Sequence, residues 1–281
     1  MKVTVAKTAG FCFGVERAVR LAETMIETKE GPSYSFGPVV HNEAVVSELK
    51  EKGLQVLKDE SDLENVSGGN VLIRAHGVSK SVYETMKGRF GSVVDATCPF
   101  VKKIHELVRK AGESGRNVLI IGDPSHPEVQ GISGWCTGPK YVIRDERDAA
   151  GIPFPKEEPM LVVVQTTFNE KKFKNLVEFL RRIDYNAIIA DTICSATRER
   201  QEEAHELAKT NDVMLVIGSE SSSNSRKLYD ICDEICDHTY FIQTVADVKP
   251  EWFQDVNSVG ITAGASTPKK IIEEVQNDVR V

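Results

Sequence analysis

Six cysteines are spread along the 281-residue chain: Cys12, Cys98, Cys136, Cys194, Cys232 and Cys236. Three of them share a local setting. Cys12 lies in Gly10-Phe11-Cys12-Phe13-Gly14-Val15, Cys98 in Asp95-Ala96-Thr97-Cys98-Pro99 and Cys194 in Asp191-Thr192-Ile193-Cys194. Each follows a short apolar run and precedes a helical pattern. Each therefore reads as a helix start, where the dipole and free amides favour thiolate. Thiolate is the form that binds soft metal. Three such groups with no fourth equivalent suit a [4Fe–4S] cluster in which one iron has no cysteine. That iron could act as a Lewis acid on a hydroxyl or alkoxide. Zinc on three thiolates stays open as an alternative, although catalytic zinc sites usually include histidine. Electron transfer alone is the weaker reading, because no tight C-x₂-C spacing is present.

The other three cysteines fit no such pattern. Cys232 and Cys236 read as one inward face of an acidic helix, and Cys136, beside Trp135, reads as packing. A disulfide framework is unnecessary at this chain length and unexpected in a reducing compartment.

The elements that must position the three cysteines form an internal repeat, which is worth seeking before any local assignment. Strands read at Val3-Thr4-Val5-Ala6, Val93-Val94-Asp95 and Ile188-Ile189-Ala190, each just ahead of a cysteine. Helical patterns follow at roughly 14–27, 99–113 and 195–210. A second strand then ends at Gly37, Gly122 and Gly218. The separations Cys12 to Gly37, Cys98 to Gly122 and Cys194 to Gly218 are 25, 24 and 24 residues. Four residues on come His41, His126 and Ser222. A third strand and polar turn complete each unit, at Val71–Gly77, Leu161–Thr167 and Val259–Ser266. A helix follows each turn, the last read at Thr267–Asn277 with Pro268 early in it.

Alternating strands and helices predict α/β units with parallel sheets. Such sheets bind ligands at the carboxyl ends of their strands. The repeat divides the chain into 14–96, 97–192 and 193–281 with 1–13, the opening strand pairing with the third unit.

The polar turns carry groups that donate to phosphate oxygens: His41-Asn42, Ala75-His76-Gly77, Ser221-Ser222-Ser223-Asn224-Ser225 and Ala263-Gly264-Ala265-Ser266. No nucleotide loop of the G-x-x-x-x-G-K-[ST] or G-x-G-x-x-G type is present. The serine run reads as a polar loop and as the candidate moving segment. His126-Pro127-Glu128 adds a carboxylate able to pass protons, and Thr166-Thr167 add hydroxyls after the longest apolar strand. His105 and His205 fall inside helical patterns and, like His238, receive no role.

A net charge of −7 gives no global pull toward nucleic acid or anionic lipid. No apolar run approaches the roughly 20 residues of a membrane span. No charged-then-apolar leader precedes Lys2–Val5, and a cytoplasmic protein is expected.

Taken in order, the motifs resemble the family of 4-hydroxy-3-methylbut-2-enyl diphosphate reductases of the non-mevalonate isoprenoid pathway. The matching stretches are those around Cys12, Cys98 and Cys194, with His41-Asn42, Arg74-Ala75-His76-Gly77-Val78, His126-Pro127-Glu128-Val129, Gln165-Thr166-Thr167, Ser222-Ser223-Asn224-Ser225 and Thr262-Ala263-Gly264-Ala265-Ser266.

The resemblance implies a trefoil of three similar α/β domains with pseudo-threefold symmetry about one [4Fe–4S] cluster. It implies that Cys12, Cys98 and Cys194 hold three irons and that the fourth binds the substrate hydroxyl. It places the diphosphate on His41, His76, Ser222, Ser223, Asn224 and Ser266, with His126 nearby and Thr167 in the pocket. Glu128 matches the proton-delivering carboxylate, and Thr166 matches a threonine that helps position or protonate the hydroxyl. A ferredoxin or flavodoxin-type protein would supply electrons. A cluster-dependent hydro-lyase and a non-catalytic cluster sensor or carrier are the competing readings.

Overall fold

The structure is a computed structural model and describes residues 1–279. The chain opens with β1 (Lys2–Val5) and α1 (Phe13–Thr28). Then come β2 (Ser33–Phe36), α2 (Glu43–Glu51), β3 (Leu54–Leu57), α3 (Glu60–Asn65), β4 (Asn70–Ile73), α4 (Lys80–Arg89) and β5 (Ser92–Asp95). The next stretch runs α5 (Pro99–Glu113), β6 (Asn117–Ile121), α6 (Pro127–Trp135), β7 (Lys140–Ile143), α7 (Glu146–Ala149), β8 (Met160–Val164), α8 (Glu170–Arg182) and β9 (Ala187–Ile189). Last come α9 (Ser195–Thr210), β10 (Val213–Ile217), α10 (Ser223–Asp233), β11 (Thr239–Ile242), two 3₁₀ turns, β12 (Ser258–Ala263) and α11 (Lys269–Val279).

The strands form three four-stranded sheets with the orders β3-β2-β4-β5, β7-β6-β8-β9 and β11-β10-β12-β1. Every pairing is parallel. Written in this sense the three orders coincide element for element. The strand ahead of each cysteine (β5, β9 or β1) lies on one edge, beside the strand that ends in a polar turn (β4, β8 or β12). The fold is therefore α/β with a threefold internal repeat. β1 joins the third sheet, with Lys2 opposite Ser258 and Val5 opposite Ile261.

The inner strands β6, β8 and β10 read as near-continuous apolar runs because helices cover both their faces. In β6, Leu119 and Ile121 pack with Val162, Val164 and the α8 residues Phe173, Leu176 and Leu180. Val118 and Ile120 face the other way, onto Ile104 and Val108 of α5 and Val129 and Ile132 of α6. β10 repeats the division. Val213, Leu215 and Ile217 meet Ile271, Ile272 and Val275 of α11, while Met214 and Val216 meet Ala204 and Ala208 of α9 and Leu228 of α10. Each fully buried Leu, Ile or Val of this kind contributes about 1.5–3 kcal/mol. The helices supply matching stripes, such as Val101, Ile104, Val108 and Ala111 of α5 at helical spacing.

Two compact units emerge from the contacts. One holds Met1–Glu16, Val40–Ser47 and the chain from Ser195 onward, built on the third sheet. The other holds Arg17–Val39 and Glu48–Cys194, built on the first two sheets.

Each strand expected from the sequence is present. The sequence reading missed the outer strands β3, β7 and β11. Three further points differ from expectation. Ser223–Ser225 form the first turn of α10 rather than a loop. That helix stops at Asp233 with Glu234 as its C-cap, so Cys236 lies beyond it. α11 begins at Lys269, leaving Pro268 immediately ahead of it. No helix among the described residues is long and apolar enough to cross a membrane.

Candidate functional site

Each of the three equivalent cysteines sits at a corner between an edge strand and a helix. Cys98 is the N-cap of α5, with Pro99 at the first helical position. Cys12 immediately precedes α1, and its carbonyl accepts the Glu16 amide at 2.9 Å. Cys194 immediately precedes α9. One hydrogen bond recurs in all three corners. The Cys98 amide donates to the carbonyl of Ala75 (2.9 Å), the Cys194 amide to that of Thr166 (3.2 Å) and the Cys12 amide to that of Ala265 (3.3 Å). Each acceptor is in the polar turn after the neighbouring inner strand. The bond thus ties each cysteine to the polar turn of the sheet whose edge strand precedes it. All three corner cysteines are partly exposed, whereas Cys136, Cys232 and Cys236 are buried.

The end of the second sheet carries a connected set of polar groups. His126 is the N-cap of α6, and its Nδ1 accepts the Glu128 amide at 3.2 Å. Glu128 is only 2% exposed. One of its carboxylate oxygens accepts the Thr166 amide (2.6 Å), and the other accepts the Thr166 hydroxyl (2.7 Å). Thr166 in turn accepts the Cys194 amide through its carbonyl. A buried carboxylate is therefore two hydrogen-bonded links from a corner cysteine. The His126 ring also meets the His76 ring edge to face, with centroids 5.4 Å apart. Thr167 Oγ1 accepts from Gln165 Nε2 at 3.1 Å, and Gln165 Oε1 accepts the Asp123 amide at 3.2 Å.

The end of the third sheet is built differently. Ser222 caps α10, its hydroxyl accepting the Ser225 amide at 3.3 Å. Asn224 is buried, and its Nδ2 has no hydrogen-bond partner among the described residues. The Ser223 hydroxyl contacts the ammonium of Lys227, one turn along the same helix. Ser266 donates its hydroxyl to the His41 carbonyl at 2.9 Å. Asn42 caps α2, its Oδ1 accepting the Val45 amide at 3.2 Å. Helix starts with unspent amides and hydroxyls are anion-binding features.

Residues 3–280 match the family model described as LytB protein. The chain belongs to the LytB family. Relatives in this family are reductases. The protein from Alkaliphilus oremlandii named 4-hydroxy-3-methylbut-2-enyl diphosphate reductase is 44% identical over 277 residues, 98% of each chain. Two solved structures are also similar. One is described as (E)-4-hydroxy-3-methyl-but-2-enyl diphosphate reductase, the terminal enzyme of the non-mevalonate pathway. It is 38% identical with a TM-score of 0.71, covering 100% of this chain and 99% of that one. The E-1-hydroxy-2-methyl-but-2-enyl-4-diphosphate reductase from Plasmodium falciparum is 28% identical with a TM-score of 0.90, covering 99% of this chain and 87% of that one.

Two arginines hold the LytB corners and were given no role from sequence. Arg17 of α1 donates to the carbonyls of Thr97 (3.3 Å) and Asp95 (3.2 Å), bracing the turn before Cys98. Arg200 of α9 is buried and donates to the Gly10 carbonyl (2.7 Å), bracing the turn before Cys12. Asp95 supports the first of these turns. Burial opposes its charge, but hydrogen bonds from Lys102 and Thr97 outweigh that and hold its carboxyl below the usual range. Arg74, in the turn motif with His76, is largely enclosed, and desolvation pushes its guanidinium down to about 10. Arginines on helices one turn past a cysteine were the available signal for the braces.

The donor set suits the cluster implied by the family. Three thiols occupy like settings, each at a partly exposed corner between strand and helix, and none is in a disulfide. Soft thiolate donors match iron–sulfur chemistry.

Proposed function

We propose that this chain reduces 4-hydroxy-3-methylbut-2-enyl diphosphate to isopentenyl and dimethylallyl diphosphates in the cytoplasm. Two electrons and two protons are consumed. The allylic C–O bond breaks, a C–H bond forms, and the hydroxyl leaves as water. The observation that supports the reading is the hydrogen-bonded chain from buried Glu128 through Thr166 to the Cys194 backbone amide, which links a carboxylate able to relay protons to a candidate cluster ligand.

Cys12, Cys98 and Cys194 would hold one [4Fe–4S] cluster per chain. When bound, the cluster supplies electrons and a Lewis-acidic iron for the hydroxyl oxygen. The remaining work belongs to the protein. Glu128, once protonated, donates to Thr166 Oγ1, and Thr166 passes its own proton to the departing hydroxyl. His126 orients this pair through the α6 cap and adds a donor for the diphosphate. His41, His76, Ser222, Ser223, Asn224 and Ser266 bind the diphosphate oxygens through imidazole, hydroxyl, amide and helix-start donors, with Thr167 lining the pocket. The buried Asn224 amide supports that assignment, because its Nδ2 meets no acceptor among the described residues. A ferredoxin or flavodoxin-type protein supplies the electrons. The repeat suggests three domains, 14–96, 97–192 and 193–281 with 1–13.

The anaerobic visible and electron paramagnetic resonance spectra, taken with and without 4-hydroxy-3-methylbut-2-enyl diphosphate, test this reading. A cluster signal that shifts on adding the diphosphate, followed by product formation only with added reductant, is expected. A signal indifferent to the diphosphate would favour a sensor or carrier, and reductant-independent dehydration a hydro-lyase. Reconstituted protein without iron would end the proposal.

A further inference from the structure

One buried histidine has no place in the chemistry above. His105 lies on α5, seven residues after Cys98, and is 7% exposed. Its Nε2 is buried without a hydrogen-bond partner among the described residues. Burial pushes the imidazole down to about 4, so the ring is neutral near pH 7. An apolar side chain would fill this space without an orphaned nitrogen, so the ring's shape needs another reason.

That reason lies in what the ring touches. Its edge fits against two backbones that have no side chain in the way. A β-carbon on Gly77 would come within 2.7 Å of His105 Cε1, and one on Gly131 within 3.4 Å of His105 Nε2. Gly77 also has φ of +74°, a conformation that side chains resist. Gly77 follows His76, and Gly131 is in the helix that His126 caps. The ring face is stacked on Trp135 at the end of that helix, with centroids 5.5 Å apart and planes at 19°. Trp135 Nε1 donates to the Val78 carbonyl at 2.8 Å, closing the link from α6 back to the His76 turn. A cavity of about 220 Å³ lined by Tyr83, Lys102, Glu106, Trp135 and His105 lies alongside. The ring is therefore held with its edge against two glycine backbones and one face on Trp135, with the cavity beside it.

We propose that His105 is a positioning residue, a flat wedge that sets the spacing of the His76 turn against α6 and hence of the His76 and His126 rings for diphosphate. The inference rests on the diphosphate site proposed above. A smaller side chain lets the turn and helix shift, and small misplacements of binding groups carry large kinetic penalties.

The test compares His105→Ala with Val108→Ala, a core truncation on the same helix, in cluster-loaded protein. KM and kcat are measured with a reduced viologen, and the affinity for inorganic diphosphate by calorimetry. His105→Ala is expected to raise KM and the diphosphate Kd about tenfold, with kcat within about threefold and cluster absorbance unchanged, the pattern of lost binding. Val108→Ala is expected to lower the melting temperature and leave both constants within about twofold. If His105→Ala does not fold, His105→Gln carries the same test with an expected rise of about threefold. His105 variants that bind diphosphate as the wild type does, or a Val108→Ala protein that binds as weakly as they do, would overturn the wedge alone. Wild-type protein that ignores diphosphate would overturn the site and the wedge together.

Discussion

The corners and the interior of this molecule use the same residue types for different ends. Cys98 stands at a partly exposed corner, where its backbone amide is committed to the Ala75 carbonyl and its neighbours are braced by Arg17. Cys232 is buried among Ala204, Met214, Val216 and Leu228, and its thiol leans on the Ala204 carbonyl at 3.8 Å. Burial pushes that thiol up to about 12, so it stays protonated and behaves as a small apolar group. Backbone hydrogen bonds fix the corners and leave side chains available. The interior consumes its side chains in packing.

The largest expected effect that would break this contrast is at a corner. Cys98→Ser should lose the cluster spectrum and turnover together, a loss of at least about 10³-fold if the thiolate is a ligand. A fully loaded and active Cys98→Ser protein would place Cys98 with the interior cysteines. Next comes Glu128→Gln. It keeps the shape and the hydrogen-bond capacity toward Thr166 but carries no transferable proton. Its kcat should fall by about 10²–10⁴ with iron content unchanged and KM little altered. Steady-state kinetics beside iron analysis checks this, and unchanged turnover removes Glu128 from the proton path.

Smaller still is Asn224→Ala. The loss of one donor to a charged oxygen is expected to weaken diphosphate binding by about 10–100-fold, equivalent to roughly 1.5–3 kcal/mol. Competition with inorganic diphosphate measures it. At the other end, Cys232→Ser should leave activity within about twofold while burying a hydroxyl in an apolar layer, at a stability cost of about 1–3 kcal/mol. Thermal unfolding with a matched activity assay checks the pair. Lost activity at unchanged stability would mean that the interior cysteines have a function after all.

The sequence revealed much of this arrangement. Long apolar runs such as Val213–Ile217 show themselves because both faces of an inner parallel strand are covered. Of the edge strands, β1, β5 and β9 are marked by the cysteines that follow them, whereas β3, β7 and β11 carry no such marker. Leu54-Gln55-Val56-Leu57 and Lys140-Tyr141-Val142-Ile143 are four residues long, half-exposed and interrupted by polar side chains. The serine run misled because Ser and Asn favour both loops and helix starts, and only the hydrogen bonds of Ser222 distinguish the two. Glu128, Thr166 and His126 were nameable as motif residues, but their mutual hydrogen bonds join positions 38 residues apart, which no local pattern can show. Arg17 and His105 were illegible for another reason. Their work lies in reaching carbonyls and glycines of distant turns, and a helical period shows only which way a side chain faces.

The pairing of β1 with β12 has a consequence for the order in which the protein can be made. Lys2 is synthesised 256 residues before its partner Ser258. At about 5–20 residues per second, the opening strand waits for tens of seconds with its hydrogen-bonding edge bare. Cys12 waits with it, since the Ala265 carbonyl that receives its amide is made later still. The first two sheets can close before β12 is made, but the third cannot. The Cys12 corner therefore forms only after Ala265 is made, and β1 is an open edge until then.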